Sequence, residues 1–343
     1  MSATTAIEWT DRTWNPVTGC RKVSPGCKHC YAEGVALRFW HHQYVHTVER
    51  GFIPVKAYAA DALTGTLRKF TDVMTHEDRL LEPLSWKKPA RVFVNSMSDL
   101  FHEDVPDAFI DQVFAVMARA KRHTFQVLTK RADRMRAYVA HADVRWRVAC
   151  EEERLNWAED VADDVDMSDV DLEHWPLPNV WLGVSVEDQK RANERIPLLL
   201  QTPAAVRFIS AEPLLGPLDL EDLVMPGDEW HVDALACDVD VRDDEPFEGA
   251  ILNWVIVGGE SGHGARPCDV AWVRAIVRQC QAAAVPVFVK QLGANPIWRL
   301  GNGQQANSGA VPAESRRCAG MVNAKGGEPS EWPEDLRVRE FPR

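Results

Sequence analysis

Residues 91–128 read RVFVNSMSDLFHEDVPDAFIDQVFAVMARAKRHTFQVL, and this stretch decides the fold. Arg91–Asn95 (RVFVN) and Thr124–Leu128 (TFQVL) are short runs rich in β-branched and aromatic residues. Between them, Pro106–Arg119 sets Phe109, Val113, Val116 and Met117, with Ala120 just beyond, on one stripe at helical spacing. Alternating strand and amphipathic helix implies a parallel sheet.

The same rhythm extends outward. Asn179–Val184 (NVWLGV), Val206–Ser210 (VRFIS), Leu252–Val257 (LNWVIV) and Val285–Lys290 (VPVFVK) are mostly continuous apolar runs, as strands covered on both faces require. Asp269 is suited to cap a helix carrying Val270, Val273, Ile276, Val277 and Cys280. With an early strand near Ile7–Thr10 the count comes to about seven strands. The expected fold class is α/β, a partial or open (βα) barrel rather than a nucleotide-binding open sheet. The barrel is expected over 1–300, with acidic insertions at 151–178 and 219–250. Residues 301–343, rich in Gly, Asn, Trp and Pro, form a C-terminal extension packed on it.

Composition narrows the functional classes. The net charge is −12, but residues 151–176 carry eleven acids against one arginine, and residues 219–248 carry twelve against one. Without these two segments the remainder is basic, at +9. A basic face toward a polyanion therefore stays open, and the acidic segments read as solvated loops or as a surface for a protein partner. No apolar run is long enough to span a membrane, and MSATTAIEWTDRTW lacks the regions of a secretory leader, so a cytoplasmic protein is expected. Nothing reads as a phosphate-binding P-loop or a hydrolase elbow, and Gly258-Gly259-Glu260-Ser261-Gly262 is not a dinucleotide fingerprint.

Eight cysteines in a chain of 343 residues do not suggest a disulfide framework. Three cluster as Cys20, Cys27 and Cys30, in a loop turned by Gly19, Pro25 and Gly26 and followed by a helical pattern. Their C-x6-C-x2-C spacing lets three thiolates converge on one centre. Three thiolates suit a four-iron cluster with one iron left open. Structural zinc is the rival reading, with His29, His41 or His42 as a fourth ligand, although no second half-site at standard spacing follows. Cys268 and Cys280 read as core or surface residues in or beside a helix, and Cys150, Cys237 and Cys318 as loop residues.

The loop, near the N-terminus and ahead of βα repeats, resembles the radical S-adenosylmethionine superfamily. That superfamily usually spaces its cysteines C-x3-C-x2-C; here the first gap is six residues, and His29 stands where an aromatic residue commonly precedes the last cysteine. More narrowly, the chain resembles a phage-associated three-cysteine-motif family. The resemblance runs through TWNPVTGC (13–20), GCKHCYAE (26–33), FVNSMSDLFH (93–102), VLTKRADRM (127–135), GVSVEDQ (183–189), SAEPLLGP (210–217), GGESG (258–262), KQLG (290–293) and PSEWPEDLRVREFP (329–342).

The resemblance implies a 4Fe-4S cluster on Cys20, Cys27 and Cys30, with S-adenosylmethionine chelating the open iron. Reductive cleavage then yields a 5′-deoxyadenosyl radical, which needs an electron donor as partner. It also implies cofactor-binding polar groups at the C-terminal ends of the strands. The candidates are Tyr31 after the last cysteine, Asn95, Ser96, Ser98 and Asp99 after the second strand, and Lys130 beside Arg131 after the third. Ser185 and Glu187 follow the fourth strand, Glu212 the fifth, and Gly258, Gly259 and Glu260 the sixth, with Lys290-Gln291 ending the seventh. At each tip the plain alternative is a helix cap, a braced loop, surface charge or a tight turn.

The expected substrate is a nucleic acid or nucleotide, in repair or modification. Arg119, Lys121, Arg122, Lys130, Arg131, Arg134 and Arg136 form a basic stretch suited to phosphates, and Trp9, Trp14, Phe39 and Trp40 are suited to stack on bases. Solvated helix faces and core aromatics are the alternative. The competing functions are a zinc-stabilised nucleic-acid-binding protein without catalysis and a phage accessory protein that binds partners through its acidic segments.

Overall fold

The computed structural model describes residues 5–40, 43–48, 51–56, 66–156, 172–224, 231–236, 250–297 and 322–342. The main sheet has seven strands, six of them on the expected runs: β1 Arg12–Trp14, β2 Arg91–Val94, β3 Thr124–Thr129, β4 Val180–Ser185, β5 Val206–Ala211, β6 Trp254–Gly258 and β7 Val287–Gln291. They lie in the sheet in the same order as in the chain. A sequential order has no point at which the winding reverses, so the doubly wound nucleotide-binding arrangement is ruled out.

The chain divides into two compact units, Met1–Trp181 with Pro203–Ala205, and Leu182–Thr202 with Val206–Arg343. In the first unit β1 pairs with β2, and β2 with β3, all parallel. Trp14, Val92, Val94, Phe125 and Val127 are fully buried along these strands. The first strand lies later than the expected Ile7–Thr10. Thr10 N–H bonds to the Ile7 carbonyl at 3.3 Å, and the Thr10 hydroxyl bonds to the Arg91 carbonyl at 3.0 Å. Residues 7–10 are thus a turn bonded to the start of β2, with Trp9 buried.

Helix α1 spans Tyr31–Phe39, α2 Asp107–Arg119, α3 Ala132–Val139 and α4 Val144–Asn156. Pro106 pre-sets the entry to α2 with φ −63°, and the expected stripe of Phe109, Val113, Val116 and Met117 is buried. On the same helix, buried Asp111 accepts from Tyr138 Oη at 2.7 Å and from Arg147 Nε at 3.0 Å, which ties α2 to α3 and α4. Cys150 lies buried within α4 rather than in a loop, and residues 151–156 continue that helix rather than opening an insertion. An antiparallel hairpin of Gln43–Val48 and Gly51–Lys56 was not read from the sequence.

In the second unit β5, β6 and β7 pair in parallel. Helix α5 spans Gln189–Leu200 and α6 Val270–Ala282. The Asp188 side chain caps α5 by accepting from Arg191 N–H at 3.0 Å, and Asp269 caps α6 by accepting from Ala271 N–H at 3.0 Å. The expected face of α6, Val270, Val273, Ile276, Val277 and Cys280, is buried. The described part of the C-terminal extension runs along β7: Val289 N–H bonds to the Val338 carbonyl at 2.9 Å and Glu340 N–H to the Val287 carbonyl at 3.0 Å. It covers a strand edge that would otherwise be open to pairing. Residues 157–171, 225–230, 237–249 and 298–321, which hold most of both acidic segments together with Cys237 and Cys318, lie outside the described residues. No helix among the described residues is long and apolar enough to cross a membrane.

Candidate metal centre

The cysteine loop is built on the ends of β1 and β2. Asn15 Oδ1 accepts from Ser96 Oγ at 3.2 Å and from Met97 N–H at 3.0 Å. Asn95 Oδ1 accepts from Val17 N–H at 3.1 Å, and Ser98 Oγ donates to the Val17 carbonyl at 2.9 Å. Three of the expected cofactor residues, Asn95, Ser96 and Ser98, therefore fasten the segment that carries Cys20. Asn95 takes a left-handed φ of 61°, which an asparagine tolerates and most residues do not. Gly19, with φ +94°, is required for a second reason: a Cβ there would stand 2.3 Å from the Asp72 carbonyl oxygen.

Cys20 N–H bonds to the Phe70 carbonyl at 2.9 Å. Pro25–Cys27 form a 3-10 turn, with Ser24 Oγ 3.9 Å from Cys27 Sγ, and Cys30 is the residue that opens α1. Cys20 and Cys30 both pack against the small cluster of Ala32, Ala36 and Phe70. All three cysteines are free thiols and partly exposed. Among the described residues, no three His, Cys, Asp or Glu side chains are already drawn together as a metal-ligand set. The donor chemistry nevertheless fits a soft, thiolate-bound centre: three free thiols share one anchored loop, and a buried guanidinium stands beside one of them.

That guanidinium is Arg131, whose Nη1 lies 3.7 Å from Cys20 Sγ and 3.1 Å from Asp99 Oδ2, while Nε donates to Glu103 Oε2 at 2.9 Å. Burial pushes the Cys20 thiol up to about 11, with the Asp99 charge adding to it and Arg131 opposing. Burial alone would lower Arg131, but Asp99 and Cys20 outweigh it and hold the cation. Glu103 is drawn down to about 2: burial opposes the shift, and a backbone hydrogen bond and Arg131 overcome it. Behind the loop, Thr18 Oγ1 meets His76 Nε2 at 2.7 Å and also accepts from Arg68, whose guanidinium stacks on Trp40 at 3.6 Å. Burial first, then Arg79 and Arg68, push His76 down to about 4.

The other candidates divide by environment. Asp99 is buried, with Oδ1 accepting from Thr129 Oγ1 at 2.7 Å and Oδ2 from Lys130 N–H at 3.1 Å. Lys130 directly follows β3, and Tyr31 is 70 % exposed beside Cys30. In the second unit Ser185 Oγ donates to the Glu212 carbonyl at 3.4 Å. Glu187 is fully buried against Arg195 at 3.1 Å, Glu212 pairs with Lys290 at 2.5 Å, and Glu260 pairs with Arg266 at 2.6 Å. A Cβ on Gly259 would meet the Leu292 carbonyl oxygen at 2.3 Å, so close backbone packing accounts for that glycine.

The basic stretch is not a row of free cations. Arg119 pairs with Glu152 at 3.1 Å, Lys121 with Glu173 at 3.0 Å and Arg134 with Asp107 at 2.9 Å. Arg122 donates to the Trp86 carbonyl at 3.0 Å, and Arg131 is buried. Trp9 and Trp14 belong to the core, whereas Phe39 is exposed. Arg131 as a neighbour of the cysteines, like Asn15 and Glu103, was not read from the sequence; the signal available was the pair of cations directly after β3.

A parallel α/β sheet with a thiol-rich loop fastened to the ends of its first strands is the class these features define. The chain belongs to the family described as "Protein of unknown function (DUF5131)", whose model matches residues 4–315. No curated protein and no solved structure matches it.

Proposed function

We propose that this protein is a radical S-adenosylmethionine enzyme that holds a 4Fe-4S cluster through Cys20, Cys27 and Cys30 and acts on a nucleic acid or nucleotide. The observation that carries the reading is the three free thiols on one loop bonded to the C-terminal end of β2. That is the end at which parallel βα folds collect their ligands. When bound, the cluster and S-adenosylmethionine supply a 5′-deoxyadenosyl radical on reduction by an electron donor. The chain's part is to present the thiolates and to surround them with fixed polar groups. Within the first unit, which carries the cysteine loop, Tyr31 and Lys130 are the candidates for cofactor contact. The basic framework outside the acidic segments supports a polyanionic substrate. Arg119, Lys121 and Arg134 already hold Glu152, Glu173 and Asp107, so a phosphate on that stretch would compete with weak exposed pairs.

Anaerobic reconstitution is expected to give a brown protein with about four irons per chain. With reductant and S-adenosylmethionine it forms 5′-deoxyadenosine, faster when a nucleic acid substrate is added. A colourless protein holding a single zinc and forming no 5′-deoxyadenosine sinks the reading in favour of a zinc-stabilised binding protein.

A further inference from the structure

Cys27 closes the turn Pro25–Cys27 and Cys30 opens α1, so local chain geometry sets the spacing of these two. Cys20 is different. Its backbone is held by Phe70, and Gly19 N–H bonds to the Met97 carbonyl at 3.0 Å, so its backbone anchors lie outside the cysteine loop. Its sulfur donates to the neighbouring Arg21 carbonyl at 3.4 Å and accepts from Arg131 Nη1 at 3.7 Å, the latter across 111 residues of sequence.

Arg131 cannot drift. It is 8 % exposed, its Nε is bonded to Glu103 and its Nη1 to Asp99, and its Nη2 reaches the Arg21 carbonyl at 3.5 Å. Its own N–H is bonded to Thr129 Oγ1 at 2.9 Å, and Thr129 Oγ1 donates to Asp99. A guanidinium carries five N–H donors in a rigid fork, so it can hold two carboxylates and a sulfur together; an ammonium is a point charge that cannot reproduce the fork. Donors aimed at ligand sulfurs orient them and offset the negative charge of a thiolate-bound centre.

We propose that Arg131 is a positioning residue, held by Asp99 and Glu103, that fixes the Cys20 sulfur as the third thiolate of the cysteine loop. This rests on reading the loop as a thiolate metal centre, and not on which metal fills it.

The test is titration of the metal-free protein with cobalt(II), whose sulfur-to-metal charge-transfer absorption grows with the number of thiolates bound. Arg131→Lys keeps a cation for Asp99 but loses the fork. It is expected to bind cobalt about tenfold more weakly and to lose the part of the band due to the third thiolate, with an unchanged melting temperature. Arg131→Gln combined with Asp99→Asn removes the buried charge pair altogether and is expected to show the same loss. In a Cys20→Ser background Arg131→Lys should change nothing further, because the residue acts through that sulfur. A purely structural brace would instead lower the melting temperature and act equally in both backgrounds. Wild-type affinity and band in Arg131→Lys, an equal loss without Cys20, or no cobalt uptake by the wild-type protein each overturns the proposal. Iron and sulfide analysis decides the cluster reading separately. A protein that reconstitutes only with zinc, yet shows the cobalt loss, refutes the cluster and leaves the role of Arg131 standing.

Discussion

The two units place the same residue types at the ends of their strands and use them differently. In the second unit each charged tip is closed on an opposite charge: Glu187 on Arg195, Glu212 on Lys290 and Glu260 on Arg266. Its two described cysteines, Cys268 and Cys280, are buried and pushed up to about 12, chiefly by that burial. In the first unit Arg131 meets two carboxylates and still reaches a sulfur, and the three cysteines of the loop are partly exposed. Residue type therefore says little about which tips can do chemistry. What separates them is whether a paired charge also reaches a thiol, and whether that thiol has access to solvent.

The sharpest way to break this comparison is to open a closed tip. Glu187→Ala leaves Arg195 buried without its carboxylate, and the expected loss is about 3–5 kcal/mol in a urea unfolding titration. Metal content per folded chain should not change. If Glu187→Ala unfolds at the wild-type midpoint, the second unit's ion pairs are not the braces they look like. Cysteine chemistry gives the next largest contrast. In the metal-free native protein, Cys27 and Cys30 are expected to alkylate with iodoacetamide first. Cys20, held near 11, carries on the order of a hundredfold less thiolate at pH 8 than an ordinary cysteine and follows slowly. Cys268 and Cys280 should react only on unfolding. Time-resolved peptide mass spectrometry reads this order, and early labelling of Cys280 would contradict it.

A smaller difference concerns acid. His76 in the first unit is held near 4 by burial and by Arg79 and Arg68, below the ordinary histidine value of about 6.5. Between those values the unfolded chain binds a proton that the folded chain refuses. Stability from this site is therefore full above about pH 6.5 and is lost as pH falls toward 4. Melting temperatures of wild type and His76→Asn, followed from pH 7 to 4, should fall more steeply for the wild type. Parallel curves would mean that the Thr18–His76–Arg68 cluster accommodates the proton.

Much of the fold was legible because buried parallel strands are continuous apolar runs and the helices between them carry a clear stripe, as Val206–Ala211 and Val270–Ala282 do. The cysteine loop was legible because cysteine spacing is a local property. What was missed depends on distance. Arg131 next to Lys130 reads as a phosphate-binding pair; only folding brings it to Cys20, 111 positions away. Glu187 reads as a polar tip, and it is the arginine two turns along α5 that makes it an internal ion pair. The run Ile7–Thr10 reads as a strand from its residue types, yet it forms a turn that buries Trp9 as well as a strand would.

The finest test of the comparison is the pair Glu212 and Lys290, where both side chains keep some access to solvent, at 19 % and 20 % exposed. Glu212 Oε1 takes both Lys290 Nζ at 2.5 Å and Gln291 Nε2 at 3.2 Å. A partly exposed pair of this kind is worth about 1 kcal/mol or less, because water screens the charges and solvates whichever one is left. Glu212→Gln should therefore cost about that much in urea unfolding, far less than Glu187→Ala, and Lys290→Met should cost a similar amount. If Glu212 only braces the sheet end, the two changes together cost no more than either alone and 5′-deoxyadenosine formation is unaffected. If turnover falls while stability holds, Glu212 contacts the reacting groups, and the second unit's tips are closed only until a ligand competes for them.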